Sequence, residues 1–164
     1  MTARTRSAVA VAVVAVQAAL LVALFAAPGG GDWPTPLWLA RFASAVEVAG
    51  WAVLLVALVN LGRSLTPLPI PREHATLKTN GLYRLVRHPV YSGVLAIAFG
   101  AATASGSLVK LGLALALLAL FTGKARWEEE LLHERYAGYA DYAARTPRFL
   151  PRPRRPPVLP PSDE

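Results

Sequence analysis

Residues Ala8–Ala27 read AVAVAVVAVQAALLVALFAA, with Gln17 as the single polar side chain and no charge. About 20 helical residues cross a hydrocarbon core about 30 Å thick. The run therefore predicts a spanning helix, preceded by Arg4 and Arg6 and closed by Pro28 and three glycines. A secretory signal peptide shares the basic start and the small residues at Ala26 and Ala27. Its apolar segment is usually about 7 to 15 residues, so the length of this run favours a span.

Working outward, residues 37–61, 90–105 and 107–123 repeat the pattern, and the last two are joined by the small polar turn around Ser105-Gly106-Ser107. The second stretch carries Arg41 and Glu47. A charge at bilayer depth is costly and marks a functional or paired group unless it snorkels to the interface, and the sequence leaves both readings open. Beyond Lys124, Trp127, Leu131, Leu132, Tyr136, Tyr139 and Tyr142 alternate with charged residues, which predicts an amphipathic surface helix over about 125–145. Pro147 and Pro151 end it. A Pro/Arg-rich tail, 152–164, is expected to be mobile, with its arginines available to anionic headgroups.

The fold expected is all-α, a polytopic membrane protein with about four transmembrane helices and a C-terminal amphipathic helix. It forms a single domain over 1–151. Arg4, Arg6, the Arg63–Arg87 loop and everything from Lys124 onward fall on one side. The positive-inside rule makes that side cytoplasmic and puts both termini there. With three lysines against fourteen arginines, the composition points to a GC-rich bacterium, hence to its inner (cell) membrane.

Composition narrows the function. The chain of 164 residues is 54% hydrophobic and 16% charged, with a net charge of +7 and no cysteine. That disfavours a soluble enzyme and excludes disulfide scaffolds and thiolate zinc sites. His74, His88 and His133 lack the spacing of a zinc site, so no metal is expected. No P-loop, nucleophile elbow or dinucleotide fingerprint is present. The basic residues border apolar spans, and membrane lipids explain them without nucleic acid.

The chemistry-bearing residues form two blocks flanking the third and fourth spans. The first is Thr79–Gly93, which holds the Asn80-Gly81 turn signal and Arg87-His88-Pro89; Pro89 suits the first turn of a helix and puts His88 at its N-terminus. The second is Lys124–Tyr136, with Glu128, Glu129 and Glu130. Two spans joined by a tight turn have neighbouring far ends, so the blocks are expected to close one pocket at the membrane surface. Carboxylates, tyrosines and helix-terminal donors suit a zwitterionic ligand carrying a cation.

Gly81, Tyr83, Arg87, His88, Pro89, Tyr91 and Gly93 form G-x-Y-x-x-x-R-H-P-x-Y-x-G, and Glu128, Glu129 and Leu132 form E-E-x-x-L after the hairpin. Together with Tyr139-x-x-Tyr142-x-x-Arg145-x-Pro147-Arg148, these motifs resemble the integral-membrane methyltransferases typified by isoprenylcysteine carboxyl methyltransferase, with phospholipid methyltransferases as more distant relatives. The resemblance covers about Leu65–Pro151. It implies S-adenosylmethionine as cofactor, lined by Leu77, Lys78, Tyr83, His88, Pro89 and Tyr91, with Glu128 and Glu129 holding its polar groups. It makes Lys124 the substrate-side basic residue, where the family often has arginine, and implies direct methyl displacement to a small lipophilic acceptor (carboxylate, amine or thiol) or a lipid. His88 and Arg87 are the catalytic candidates, His88 for positioning or as a base. An acceptor entering between helices would meet Glu47 or Asn60. The competing readings are a non-catalytic scaffold or permeability factor of the same fold, and a membrane reductase.

Overall fold

A computed structural model describes residues 3–62 and 77–152. The parts of the Arg63–Arg87 loop before Leu77, including His74, and of the tail beyond Arg152 lie outside the described residues. The described chain is all-helical and polytopic: α1 (Ala3–Ala26), α2 (Leu37–Leu61), a 3-10 turn (Gly81–Arg84), α3 (Pro89–Ser105), α4 (Leu108–Arg135) and α5 (Tyr139–Arg145). Three helices, α1, α2 and α4, are long and apolar enough to cross a membrane; α3, at 17 residues, is shorter. Most of α1 and α2 is exposed, including Phe25, Trp38, Phe42 and Val59. Apolar faces of that extent need lipid around them.

Helices α2 and α3 touch backbone to backbone. Ala43, Gly50 and Ala57, seven residues apart, are the buried positions of α2. A Cβ on Gly93 would stand 2.8 Å from the amide nitrogen of Leu54, and one on Gly100 2.8 Å from the carbonyl oxygen of Ala43. Small residues let backbones approach so closely, which is how helices pack where lipid removes the hydrophobic drive. The glycines of these spans are thus used inside the chain. Helix α1 lies on α4, and Leu24, Tyr91, Leu95, Ala98, Ala114, Leu117, Phe121 and Ala125 form a core between α1, α3 and α4.

At the end of the bundle holding the α3–α4 turn, Gly106 adopts a left-handed φ of 61° and caps α3, while the Ser107 hydroxyl caps α4 by accepting from the Lys110 amide. Asp32, from the α1–α2 connection, accepts the Leu108 amide at 2.8 Å. These bonds hold the hairpin tight, so its other ends, Pro89 and the second half of α4, are neighbours.

The amphipathic segment differs from the expected single surface helix over 125–145. Helix α4 runs without interruption through Lys124 to Arg135, the chain breaks at Tyr136–Gly138, and α5 takes up Tyr139–Arg145. The change from apolar to charged residues at Lys124 comes without a glycine or proline to stop the helix. At 28 residues α4 is about 42 Å long, which exceeds a core of about 30 Å.

Candidate active site

The first block is built as a turn and a short ladder. Gly81 takes a φ of 57° and leaves room for the Asn60 amide, which a Cβ would strike. Next, the backbone amides of Arg87 and His88 donate to the carbonyls of Pro147 (2.8 Å) and Arg148 (3.1 Å). The segment after α5 thus returns to pair with the strand-like step that precedes α3. Ser92 and Tyr142 lock the same return: the Ser92 hydroxyl donates to the Phe149 carbonyl and the Tyr142 hydroxyl to the Tyr83 carbonyl, each at 2.6 Å.

Glu129 stands at the centre. Its Oε1 accepts from Arg87 Nε (3.0 Å) and Arg148 Nε (2.9 Å) and lies 3.0 Å from His88 Nε2, while its Oε2 accepts from Arg148 Nη2 at 2.6 Å. The Arg148 contact is bidentate, the strongest geometry available to this pair. Arg87 also caps the end of α5: its Nη1 donates to the carbonyls of Ala143 (2.8 Å) and Thr146 (2.5 Å).

Glu128 is differently placed. It accepts the Tyr91 hydroxyl at 2.5 Å and lies 3.4 Å from His88 Nδ1, and its side chain is 20% exposed against 11% for Glu129. Glu129 is tied into the protein by Arg87, Arg148 and His88, whereas Glu128 retains access. Tyr91 lies parallel between His88 (5.2 Å between centroids) and Phe121 (4.5 Å), so a stack of rings runs from the site into the core.

His88 has a carboxylate at each ring nitrogen. Burial alone would lower its pKa, but its contacts with Glu128 and Glu129 outweigh burial and raise it above the ordinary value. Burial, with the nearby Tyr142 and Glu128, pushes the Tyr83 phenol up to about 12, and burial, partly opposed by Arg87, pushes Tyr142 up to about 12. Neither tyrosine ionises near neutral pH. The contact with Glu129 raises Arg148, against a smaller effect of burial.

Of the residues singled out from the sequence, Arg87, His88, Tyr91, Glu128 and Glu129 form one cluster. Pro89 opens α3, and Tyr83 adjoins the cluster through Tyr142. Lys124, one turn before Glu128 and 5% exposed, has its ammonium 5.3 Å from the Tyr91 ring centroid. Leu77 and Lys78 are half-buried at the start of the loop. Asn60 packs on Gly81, outside this cluster. Glu47 is not brought to the site: it packs against Gly100, thirteen residues before Asn60 and about 20 Å away along α2. Three contributors were missed. Arg148 was quoted within the closing motif but given no role, because nothing local announces its return to Glu129. Phe149 packs at an angle on His88 and Tyr91. Gln17 accepts a hydrogen bond from Lys124 Nζ at 2.9 Å, and its signal was its isolation as the one polar residue of the first apolar run.

The sequence profile of the family described as phospholipid methyltransferase matches residues 40–138, more than half of the chain. The chain belongs to this methyltransferase family. It is 35% identical over 127 residues to the cobalt-zinc-cadmium resistance protein CzcN of Cupriavidus metallidurans, covering 74% of this chain and 53% of that protein. It is 30% identical over 118 residues to protein-S-isoprenylcysteine O-methyltransferase B of Arabidopsis thaliana, covering 70% of this chain and 60% of that protein. A third relative, the nickel-cobalt-cadmium resistance protein NccN of Alcaligenes xylosoxydans xylosoxydans, is 33% identical over 140 residues, or 84% of this chain and 62% of its own. The chain thus spans between 53% and 62% of the length of these relatives. The profile match contains both motif blocks, and Arg148 lies beyond it.

Proposed function

We propose that the protein is an S-adenosylmethionine-dependent methyltransferase that acts on a small lipophilic acceptor at the cytoplasmic face of a bacterial inner membrane, with four spans and both termini in the cytoplasm. The observation that carries this reading is the meeting of the two motif blocks: Tyr91 on Glu128 and His88 between Glu128 and Glu129. The donor set suits the cofactor. An accessible carboxylate and buried aromatic side chains match a cation with a sulfonium and an ammonium group. Glu128, Tyr83, His88, Tyr91 and the Leu77–Lys78 segment would hold it. When bound, the cofactor supplies an electrophilic methyl group.

The roles of the chain's own residues follow from their partners. Glu129 is saturated by Arg87, Arg148 and His88 and acts as the tie between α4 and the segment after α5. Arg87 donates from Nε to Glu129 and from Nη1 to two carbonyls, so it positions the His88 loop. His88, with a carboxylate at each nitrogen, retains its proton and orients Glu128 in preference to serving as a base. Tyr91 has rings on both sides, so its hydroxyl, rather than its ring face, meets the cofactor side of the site. Lys124, held by Gln17 and set beside Tyr91, favours an acceptor with an anionic head, and a lipophilic tail fits the apolar surroundings of α1 and α4. Positioning acceptor and methyl in line accounts for most of the rate such a site can provide.

Titration of the purified protein in detergent with S-adenosylmethionine tests the reading. Saturable binding is expected, and Glu128→Gln should abolish it without unfolding the protein. Absence of binding by folded protein, or equal binding by Glu128→Gln, would overturn it.

A further inference from the structure

Beside the Glu129 cluster, on the side of α5 and the segment after it, lies a cleft of about 320 Å³ whose wall includes Arg87, Arg145, Arg148 and Arg152 together with Thr146. Among the described residues no acidic side chain lines it. Tyr83, His88, Tyr91 and Glu128 are absent from its wall, so it is separate from the proposed cofactor site, and it shares Arg87 and Arg148 with the Glu129 cluster. The charges do not cancel. Among the described residues Glu129 is the sole carboxylate paired with Arg87 and Arg148. The side chain of Arg145 donates only to the backbone carbonyl of Asp141, at 3.0 Å, and Arg152 has no ion-pair partner among the described residues. Four guanidinium groups therefore share one cleft with one neutralising carboxylate.

We propose that this cleft binds a phosphate-bearing anion. Guanidinium groups match phosphate oxygens in paired hydrogen bonds, and the volume falls at the lower end of the range for small-ligand pockets. A phosphate there relieves the mutual repulsion of the arginines and meets the free donors of Arg145 and Arg152. It does so beside α5 and the segment after it, and either a lipid headgroup or a soluble phosphate supplies such a group. The recognised chemistry is the same for both.

The test uses the full chain in phosphatidylcholine nanodiscs at about 0.15 M salt, where long-range attraction is screened. The wild type is compared with Arg145→Gln/Arg152→Gln, neither of which touches Glu129. Inorganic phosphate is titrated and followed by phosphorus NMR, and phosphatidic acid is doped into the discs with oleic acid as a carboxylate control and bound lipid is counted by native mass spectrometry. Saturable binding of phosphatidic acid but not oleic acid identifies a headgroup, and saturable binding of inorganic phosphate identifies a soluble source. In either case the double variant should bind at least roughly tenfold more weakly. If the double variant melts lower than the wild type, Arg145→Lys/Arg152→Lys replaces it; that variant keeps the charge and should retain weakened binding. Binding of neither probe, equal binding of oleic acid, or no difference between variant and wild type overturns the proposal. None of these outcomes bears on cofactor binding, which is measured separately.

Discussion

His88 Nε2 lies 3.0 Å from Glu129 Oε1, although 41 residues and a hairpin of two helices separate them in sequence. The hairpin makes the meeting possible, and the returning segment at Pro147 and Arg148 fixes its geometry. In the proposed function the two glutamates have different tasks: Glu129 ties the segments together and Glu128 faces the ligand.

Replacing Glu129 should therefore cost stability. Glu129→Gln leaves Arg87 and Arg148 without their carboxylate in a largely buried setting, and breaking such a pair costs about 3 kcal/mol. Thermal unfolding in detergent should show a markedly lower midpoint for Glu129→Gln and a nearly unchanged one for Glu128→Gln. Equal midpoints would show that the two carboxylates do not divide the work.

The ion pairs of His88 predict a pH dependence. Its folded pKa is raised by Glu128 and Glu129 against the opposing effect of burial. The stabilisation is therefore complete below the unfolded value of about 6.5 and is lost as pH rises through the folded value. The midpoint of the wild type should fall on the alkaline side of that value, and His88→Gln should remove this component. Arg87, Arg148, Glu128, Glu129 and the Tyr91 phenol face the same ring or its partners. A midpoint whose alkaline decline is unchanged in His88→Gln would contradict the assignment.

The α2–α3 contact predicts a contrast among glycines. Gly93→Leu forces a side chain onto the backbone of Gly50 and Leu54, and overpacking of this kind costs about 1 to 3 kcal/mol or more. Gly112→Ala meets nothing within 4 Å and should leave the melting midpoint unchanged or slightly higher, because alanine favours helix. The pair of measurements separates close approach from glycine content.

Gln17 and Lys124 predict an effect on the acceptor. Gln17→Leu removes the amide that Lys124 donates to at 2.9 Å and should raise the KM for an anionic acceptor several-fold while leaving affinity for S-adenosylmethionine unchanged. A change in cofactor affinity with acceptor KM intact would place Gln17 on the wrong side of the site.

Much of this arrangement was legible in the sequence, for reasons particular residues make plain. The charge-free run of α1 and the hydrophobic stretch of α2 state their own helices, because length and apolarity suffice in a bilayer. The Ser105-Gly106-Ser107 turn announced the hairpin, and the hairpin implied that Arg87-His88 and Glu128-Glu129 would meet. The end of α4 was misjudged because a change from apolar to charged side chains mimics a boundary without being one; the break comes later, at Tyr136–Gly138. The roles of Arg148 and Gln17 depend on contacts 19 and 107 residues away in sequence, which no local pattern encodes. The sequence left Glu47 open between a functional and a snorkelling charge; in the fold it packs against Gly100, away from the cluster.

The central claim is tested most directly by transfer of labelled methyl from S-adenosylmethionine to a total lipid extract, catalysed by the protein in vesicles. The account predicts a labelled lipophilic product, lost in Glu128→Gln although that variant remains folded. Folded wild-type protein that labels nothing, or a Glu128→Gln variant that labels as well as the wild type, would contradict it.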